Sequence, residues 1–192
     1  NGIGKVKFSN LCTEIMQVSQ VSDIEIYGKE DTIRYGISCN LGSLNIATVM
    51  DNKRIKETVK TAMRALTVVS DVTNIEMVPS IAKANRELHS VGLGAMNLHG
   101  YLAKSFIMYE STEALDFANT FFMMMNYYSL EASMEIAKER GRTFLGFEKS
   151  SYADGTYFDM YLNRDYMPKT EKIKELFGDI HIPTIQDWDN LK

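Results

Sequence analysis

Cysteine is scarce in this chain: two occur among 192 residues, with 12 glycines. That composition excludes a disulfide-stapled scaffold and points to a reducing, cytoplasmic setting. Long hydrophobic runs are missing too. The longest apolar cluster, Phe121 to Leu130, is interrupted by Asn126 and is too short to cross a bilayer, so no membrane association is expected. No basic, apolar, small-residue leader precedes Ser9, so no secretory signal is expected. A basic stripe is also lacking. The net charge is −4 and the isoelectric point about 5.5, which argues against a grip on a nucleic-acid backbone. There is no Cys-x-x-Cys or His-x-x-x-His, and His89, His99 and His181 are scattered, so no metal site is expected. No internal repeat or low-complexity linker divides the chain. What remains is ordinary for a folded protein: 45% hydrophobic and 24% charged residues, enough for one domain or a piece of one.

Hydrophobic periodicity predicts a chain that is strand-rich first and helix-rich after. Residues 1–42 read as extended. Asn10–Val18 alternates imperfectly, and Ile24 and Ile26 continue the pattern. Tyr27–Asp31 forms a polar turn, and Thr32–Cys39 resumes alternation with Ile33, Tyr35 and Ile37 on one face. A hairpin or a longer excursion between neighbouring strands is the expectation. From about Leu41 the period becomes helical, first through Leu44, Ala47 and Val49. Ile55, Val59, Ala62, Met63, Leu66 and Val69 then mark one buried stripe that ends before Pro79. A short helix is expected near Ile81–Arg86, a short strand or tight crossing at His89–Gly94, and a helix at Met96–Lys104. The clearest element is Thr112–Arg140, with Ser111 as N-cap, Lys138 and Arg140 in its last turn and Gly141 at C′. Two further helices are predicted near Lys169–Phe177 and from Thr184 onward. The charged runs Asp51–Lys56 and Lys169–Lys174 read as solvated faces. The whole, 1–192, reads as a single partial domain.

Asn10, Cys12 and Glu14 stand at i, i+2 and i+4. On an extended backbone they share one face, with about 6–7 Å between successive Cα atoms, while Leu11 and Ile15 take the other. An amide that donates and accepts, an oxidisable thiol and a carboxylate able to act as a base are complementary tools. An ordinary half-exposed strand with a buried cysteine has the same pattern. Cys39 follows 27 residues after Cys12, at the end of the next strand-like run. A thiol hydrolase pairing Cys12 with a histidine such as His99, and a redox pair of Cys12 with Cys39, are further readings of the same residues. Gly92-Leu-Gly94 before a helix departs from the dinucleotide fingerprint at Asn97. It reads instead as two glycines permitting a tight strand-to-helix crossing. Met123, Met124 and Met125 read as core filler.

Ser9-Asn-Leu-Cys-Thr-Glu-Ile15 resembles the active-site segment of the large, catalytic subunit of class I ribonucleotide reductases. The resemblance continues through Ile37-Ser-Cys-Asn-Leu-Gly-Ser-Leu-Asn-Ile-Ala47, Arg64-Ala-Leu, Ser90–Ala103 and Glu139-Arg-Gly141. The Met-Asn-Leu-His-Gly form of 96–100 resembles class Ib. This likeness implies an α/β fold, part of a ten-stranded α/β barrel, with the chain supplying the end of a finger loop and part of the second half-barrel. It implies that Cys12 becomes a thiyl radical, that Glu14 is the general base, that Asn10 hydrogen-bonds the substrate, and that Cys39 is one member of a redox pair. The implied reaction is reduction of ribonucleoside diphosphates to 2′-deoxyribonucleoside diphosphates. Implied partners are the remainder of the large subunit, a dimetal–tyrosyl small subunit that supplies the radical, and a thioredoxin- or glutaredoxin-like reductant; no cofactor is expected in this chain. The family's second redox cysteine, its radical-relaying tyrosines, its phosphate loop and its C-terminal cysteine pair have no counterpart here. The chain, opening Asn1-Gly2-Ile3, therefore reads as a central slice, inactive alone. Without the resemblance, a helical scaffold with a buried cysteine is the competing reading.

Overall fold

A computed structural model describes residues 17–192. The described elements run β1 (Asn40–Asn45), α1 (Ile46–Asp51), α2 (Ile55–Val72), α3 (Pro79–Leu88), β2 (Val91–Met96), α4 (Leu98–Lys104) and α5 (Thr112–Arg140). Short 3₁₀ turns at Phe147–Lys149 and Thr156–Phe158 follow, then α6 (Asp159–Leu162), α7 (Glu171–Phe177) and α8 (Ile185–Leu191). The strands β1 and β2 pair as a two-stranded sheet. Gly92 lies against Leu41 and Cys39, and Gly94 against Ser43 and Gly42, so position advances the same way along both strands. They are parallel, and the intervening helices supply the long crossover that parallel neighbours need. No helix among the described residues is long and apolar enough to cross a membrane.

The chain forms two compact units. One comprises the described part of 1–41 with Ala65–Gly92 and Arg142–Asp154. Its buried positions are largely polar: Gln17, Ser19, Thr67, Ser70, Asn85 and Ser150, with Leu66 and Ala84. The expected hairpin is present here in reduced form. Asp23 and Thr32 make one antiparallel bridge, the Gln20 amide donates to the Tyr35 carbonyl at 2.8 Å, and the Lys29 amide closes a turn on Ile26. No strand develops among the described residues before Asn40, contrary to the extended reading. Polar side chains intercept the ladder. The Arg34 amide donates to Ser22 Oγ (3.0 Å), the Arg34 guanidinium to the Val21 carbonyl (2.7 Å), and the Glu25 amide to Asp31 (2.7 Å). Helix α3 starts earlier than expected because Pro79 occupies its first turn, where the missing N–H costs nothing.

The other unit comprises Gly42–Arg64, Leu93–Gly141 and Gly155–Lys192. Its core is apolar and centres on α5. Phe117, Phe121, Met124, Tyr128 and Ala132 form a stripe that solvent does not reach, and Met123 and Met125 are buried beside it. Fully burying side chains of this size contributes about 1.5–3 kcal/mol each. Phe117 stacks on Phe121 and Phe177 with ring centres 5.6 Å away in both cases, and Tyr101 closes on it at 4.9 Å. The ends of α5 are as expected: Ser111 Oγ accepts from the Ala114 amide (3.1 Å), and Gly141, at φ 63°, sits at C′. Helix α8 opens on a capping box between Thr184 and Asp187. The helix expected from Leu41 instead begins at Ile46, where the Asn45 side chain caps it. Leu44 is buried from β1, and strand pairing, not helix periodicity, governs 40–45.

Candidate functional site

Cys39 ends an irregular stretch and immediately precedes β1. Its position is set from three directions, all within the first unit. Gln17 approaches as a carboxamide: its Nε2 donates to the Ser38 carbonyl at 2.5 Å, and its Oε1 accepts from the Ser38 amide at 3.3 Å. That two-point contact imitates one rung of a strand ladder. From α3, Asn85 reaches the residues on both sides of Cys39. Its Oδ1 accepts from Ser38 Oγ (3.2 Å) and lies 3.5 Å from Asn40 Nδ2, the outer limit of a hydrogen bond. Asn85 is itself locked to α2: Ser70 Oγ donates to Oδ1 and Asn85 Nδ2 donates to the Ser70 carbonyl, both at 2.7 Å. The third direction is β2. A Cβ on Gly92 would lie 2.5 Å from Leu41 Cδ2 and 3.4 Å from Cys39 Sγ, so glycine there leaves room for the Leu41 side chain beside the thiol.

Gly92 and Gly94 both have ordinary negative φ. The turn from β2 into α4 is made by Asn97, which adopts the left-handed region at φ 67° and ψ 29°. The two glycines serve close strand packing, and the crossing that they were expected to permit is turned by an asparagine, which tolerates that conformation. Asn97 Nδ2 donates to Asn45 Oδ1 at 3.2 Å, and its side chain lies over Gly100, where a Cβ would meet Asn97 Oδ1 at 2.0 Å.

Asn10, Cys12 and Glu14 lie outside the described residues. Of the candidate site residues, Cys39 alone is described. The histidines occupy separate settings: His89 Nε2 is 2.9 Å from Asp71, His99 packs edge-on to Tyr109, and His181 lies 3.5 Å from Asp187. Among the described residues, no group of three or more His, Cys, Asp or Glu side chains is placed to hold a metal ion. Upstream of Cys39, the Tyr35 hydroxyl donates to Glu87 at 2.6 Å. That bond, then burial and the Glu87 charge, hold its phenol above the usual range. Sequence reasoning missed Gln17, Ser70 and Asn85. Single polar residues in otherwise unremarkable stretches carry no local signature, although a buried asparagine inside a helix must find partners.

The family model for the barrel domain of ribonucleotide reductase matches residues 1–192. The chain is 58% identical over 192 residues to the ribonucleoside-diphosphate reductase subunit alpha of Bacillus subtilis, covering all of this chain and 27% of that protein. It is 46% identical over 193 residues to the subunit of the same name from Mycoplasma pneumoniae, covering 97% of this chain and 27% of that protein. Among solved structures, the class Id ribonucleotide reductase alpha subunit of Actinobacillus ureae superposes with a TM-score of 0.57 at 21% identity. That match covers 94% of this chain and 31% of that one, and it speaks to the fold alone. The chain thus spans about a quarter of the length of the curated relatives it matches.

Proposed function

This chain belongs to the ribonucleotide reductase barrel-domain family, an α/β fold, and from that membership we propose that it is the segment of a catalytic subunit that carries the radical cysteine. The proposed reaction is reduction of a ribonucleoside diphosphate at its 2′ position. Cys12, as a thiyl radical, takes the 3′ hydrogen, because S–H and activated C–H bonds are close in strength. Glu14 accepts the 3′-OH proton, which helps the neighbouring radical expel the 2′ hydroxyl as water. Asn10 holds the ribose by hydrogen bonds. Cys39 and a second cysteine, supplied from outside this chain, deliver two electrons and two protons and end as a disulfide, after which Cys12 returns the 3′ hydrogen. The sum balances: alcohol and two thiols become deoxyribose, disulfide and water. The radical comes from a dimetal–tyrosyl small subunit, and a thioredoxin- or glutaredoxin-like dithiol restores the pair.

One described observation carries this reading furthest. Gln17, five residues beyond Cys12, is bonded twice to the backbone of Ser38, the neighbour of Cys39. The third residue after Glu14 therefore lies against the backbone neighbour of Cys39, which supports the reading. The test is reconstitution of this segment within a complete large subunit, with a radical-generating small subunit and a dithiol. Deoxynucleotide formation that disappears in Cys12→Ser supports the proposal; turnover that survives this substitution refutes it.

A further inference from the structure

We infer that Asn85 is a positioning residue for Cys39, holding its sulfur where the disulfide-forming step needs it; this rests on the reading of Cys39 as one of the two reducing thiols. Asn85 is 4% exposed, inside α3. A carboxamide is costly to bury and gains nothing from an apolar neighbourhood, so its presence needs an account. One amide oxygen serves Ser38 Oγ, Ser70 Oγ and, at the limit of reach, Asn40 Nδ2, while the amide nitrogen spends a proton on the Ser70 carbonyl. The Ser70 pair ties the carboxamide to α2, and the remaining contacts fall on the two residues flanking Cys39. Residues 33–39 belong to no strand. The Gln20 amide donates to the Tyr35 carbonyl and the Gly36 amide to the Ser80 carbonyl, and nearer the thiol the Gln17 and Asn85 carboxamides hold Ser38.

The chemistry explains why such a clamp matters. In the proposed step each thiol gives up a hydrogen, an S–S bond of about 2.05 Å forms, and the two electrons and two protons pass to the substrate carbon and the departing water. The sulfur must sit within reach of its partner cysteine while the substrate is in place. A displacement of about 1 Å can cost on the order of 100-fold in rate. Asn85 reaches the residues on either side of Cys39 and acts through Ser38 and Asn40.

The experiment uses the complete large subunit, pre-reduced, with its small subunit and cytidine diphosphate but no external reductant, so that only the first turnover is read. Asn85→Ala is expected to slow that burst by about 10-fold or more, with KM for cytidine diphosphate within about twofold of the parent. Asn85→Asp keeps the acceptor oxygens but sets one of them against the Ser70 carbonyl and buries a charge, so it is expected to do no better than Asn85→Ala. Ser38→Ala, a milder change at a half-buried position, is expected to slow the burst by about threefold and decides the matter if Asn85→Ala does not fold. A slowed burst with unchanged KM in Asn85→Ala, and a smaller slowing in Ser38→Ala, supports the role. Bursts at the parent rate in Asn85→Ala and Ser38→Ala, or losses in both that only track lost folded protein, overturn it. Cys39→Ser separates the two readings. A burst that survives it removes Cys39 from the redox pair and Asn85 with it; a burst abolished by it but indifferent to residues 38 and 85 removes Asn85 alone.

Discussion

Replacing Lys60 by methionine tests whether the ion-pair ladder along α2 and α5 stabilises their packing. Lys56, Lys60 and Arg64 recur every four residues on α2, and Glu131, Glu135 and Glu139 do so on α5. Lys56 and Lys60 meet Glu131 at 3.4 and 3.1 Å, Lys60 also meets Glu135, and Arg64 meets Glu135 and Glu139 at 3.4 and 2.7 Å. Register rises together on both helices, so they run parallel there. The outer rungs are exposed and screened by solvent, so the middle rung carries the weight. The Lys60 and Glu131 side chains are 19% and 18% exposed, and removing the amine leaves two carboxylates facing each other one turn apart. Charged hydrogen bonds of about 1.5–3 kcal/mol each, discounted for residual solvent, put the loss near 2 kcal/mol. Local opening should then be about 30-fold more frequent, at roughly 1.4 kcal/mol per tenfold. Hydrogen exchange of α2 and α5 peptides in the complete large subunit reads this directly. The pH dependence has a definite sign. The Lys60 hydrogen bond and charge, then the Arg64 bond and charge, together outweigh burial and hold the Glu135 carboxyl below its usual value. Its contribution is therefore present above the unfolded glutamate value of about 4.3 and is lost as pH falls through the lower folded one. The gap between parent and variant should narrow in acid. Exchange within threefold of the parent at pH 7, with no coupling in a Lys60→Met/Glu135→Gln cycle, would mean that desolvation cancels the pairs.

Asp116→Ala should loosen the entry to α7. The Asp116 carboxylate accepts from the Lys169 and Thr170 amides and from Thr170 Oγ1, all within 3.1 Å. Stranding these donors costs about 1–3 kcal/mol per buried group, so faster exchange at Lys169 and Thr170 is expected, and unchanged protection would contradict it. Tyr127 should stay protonated well beyond free tyrosine. Burial first, then the Glu131 and Asp187 charges, push it up to about 12. The stability it carries is intact below about 10 and falls as pH rises toward the folded value. Tyr127→Phe should accordingly leave the absorbance titration below pH 11 unchanged, and loss of a tyrosine titrating near 10 would refute the assignment.

The elements most legible in the sequence were those whose local signals agree. Thr112–Arg140 appears with its predicted bounds because Ser111, the first-turn acid, the last-turn cations and Gly141 all mark the same helix. The helix expected from Thr184 onward is present, opened by a capping box, and the Met123–Met125 run, read as core, is buried. The stretch from Leu41 was misread because Leu44, Ala47 and Val49 suit a helical period, while residues 40–45 pair with a strand about fifty positions away. Alternation at Thr32–Cys39 suggested a strand, but Ser22, Asp31 and Arg34 take up the hydrogen bonds a ladder would need. Neither outcome is written locally.

By itself, the sequence determined the family, the long helix and its caps, and the i, i+2, i+4 spacing of Asn10, Cys12 and Glu14. These follow from side-chain chemistry at fixed short separations. Only the tertiary structure decided that Gln17 and Asn85 converge on the residues beside Cys39, with Ser70 holding Asn85, and that Gly92 clears space beside its sulfur. Those contacts join residues 15 to 53 positions apart. An isolated glutamine, serine or asparagine carries no mark of the carbonyl it will find, because its partner is chosen by how strands and helices pack.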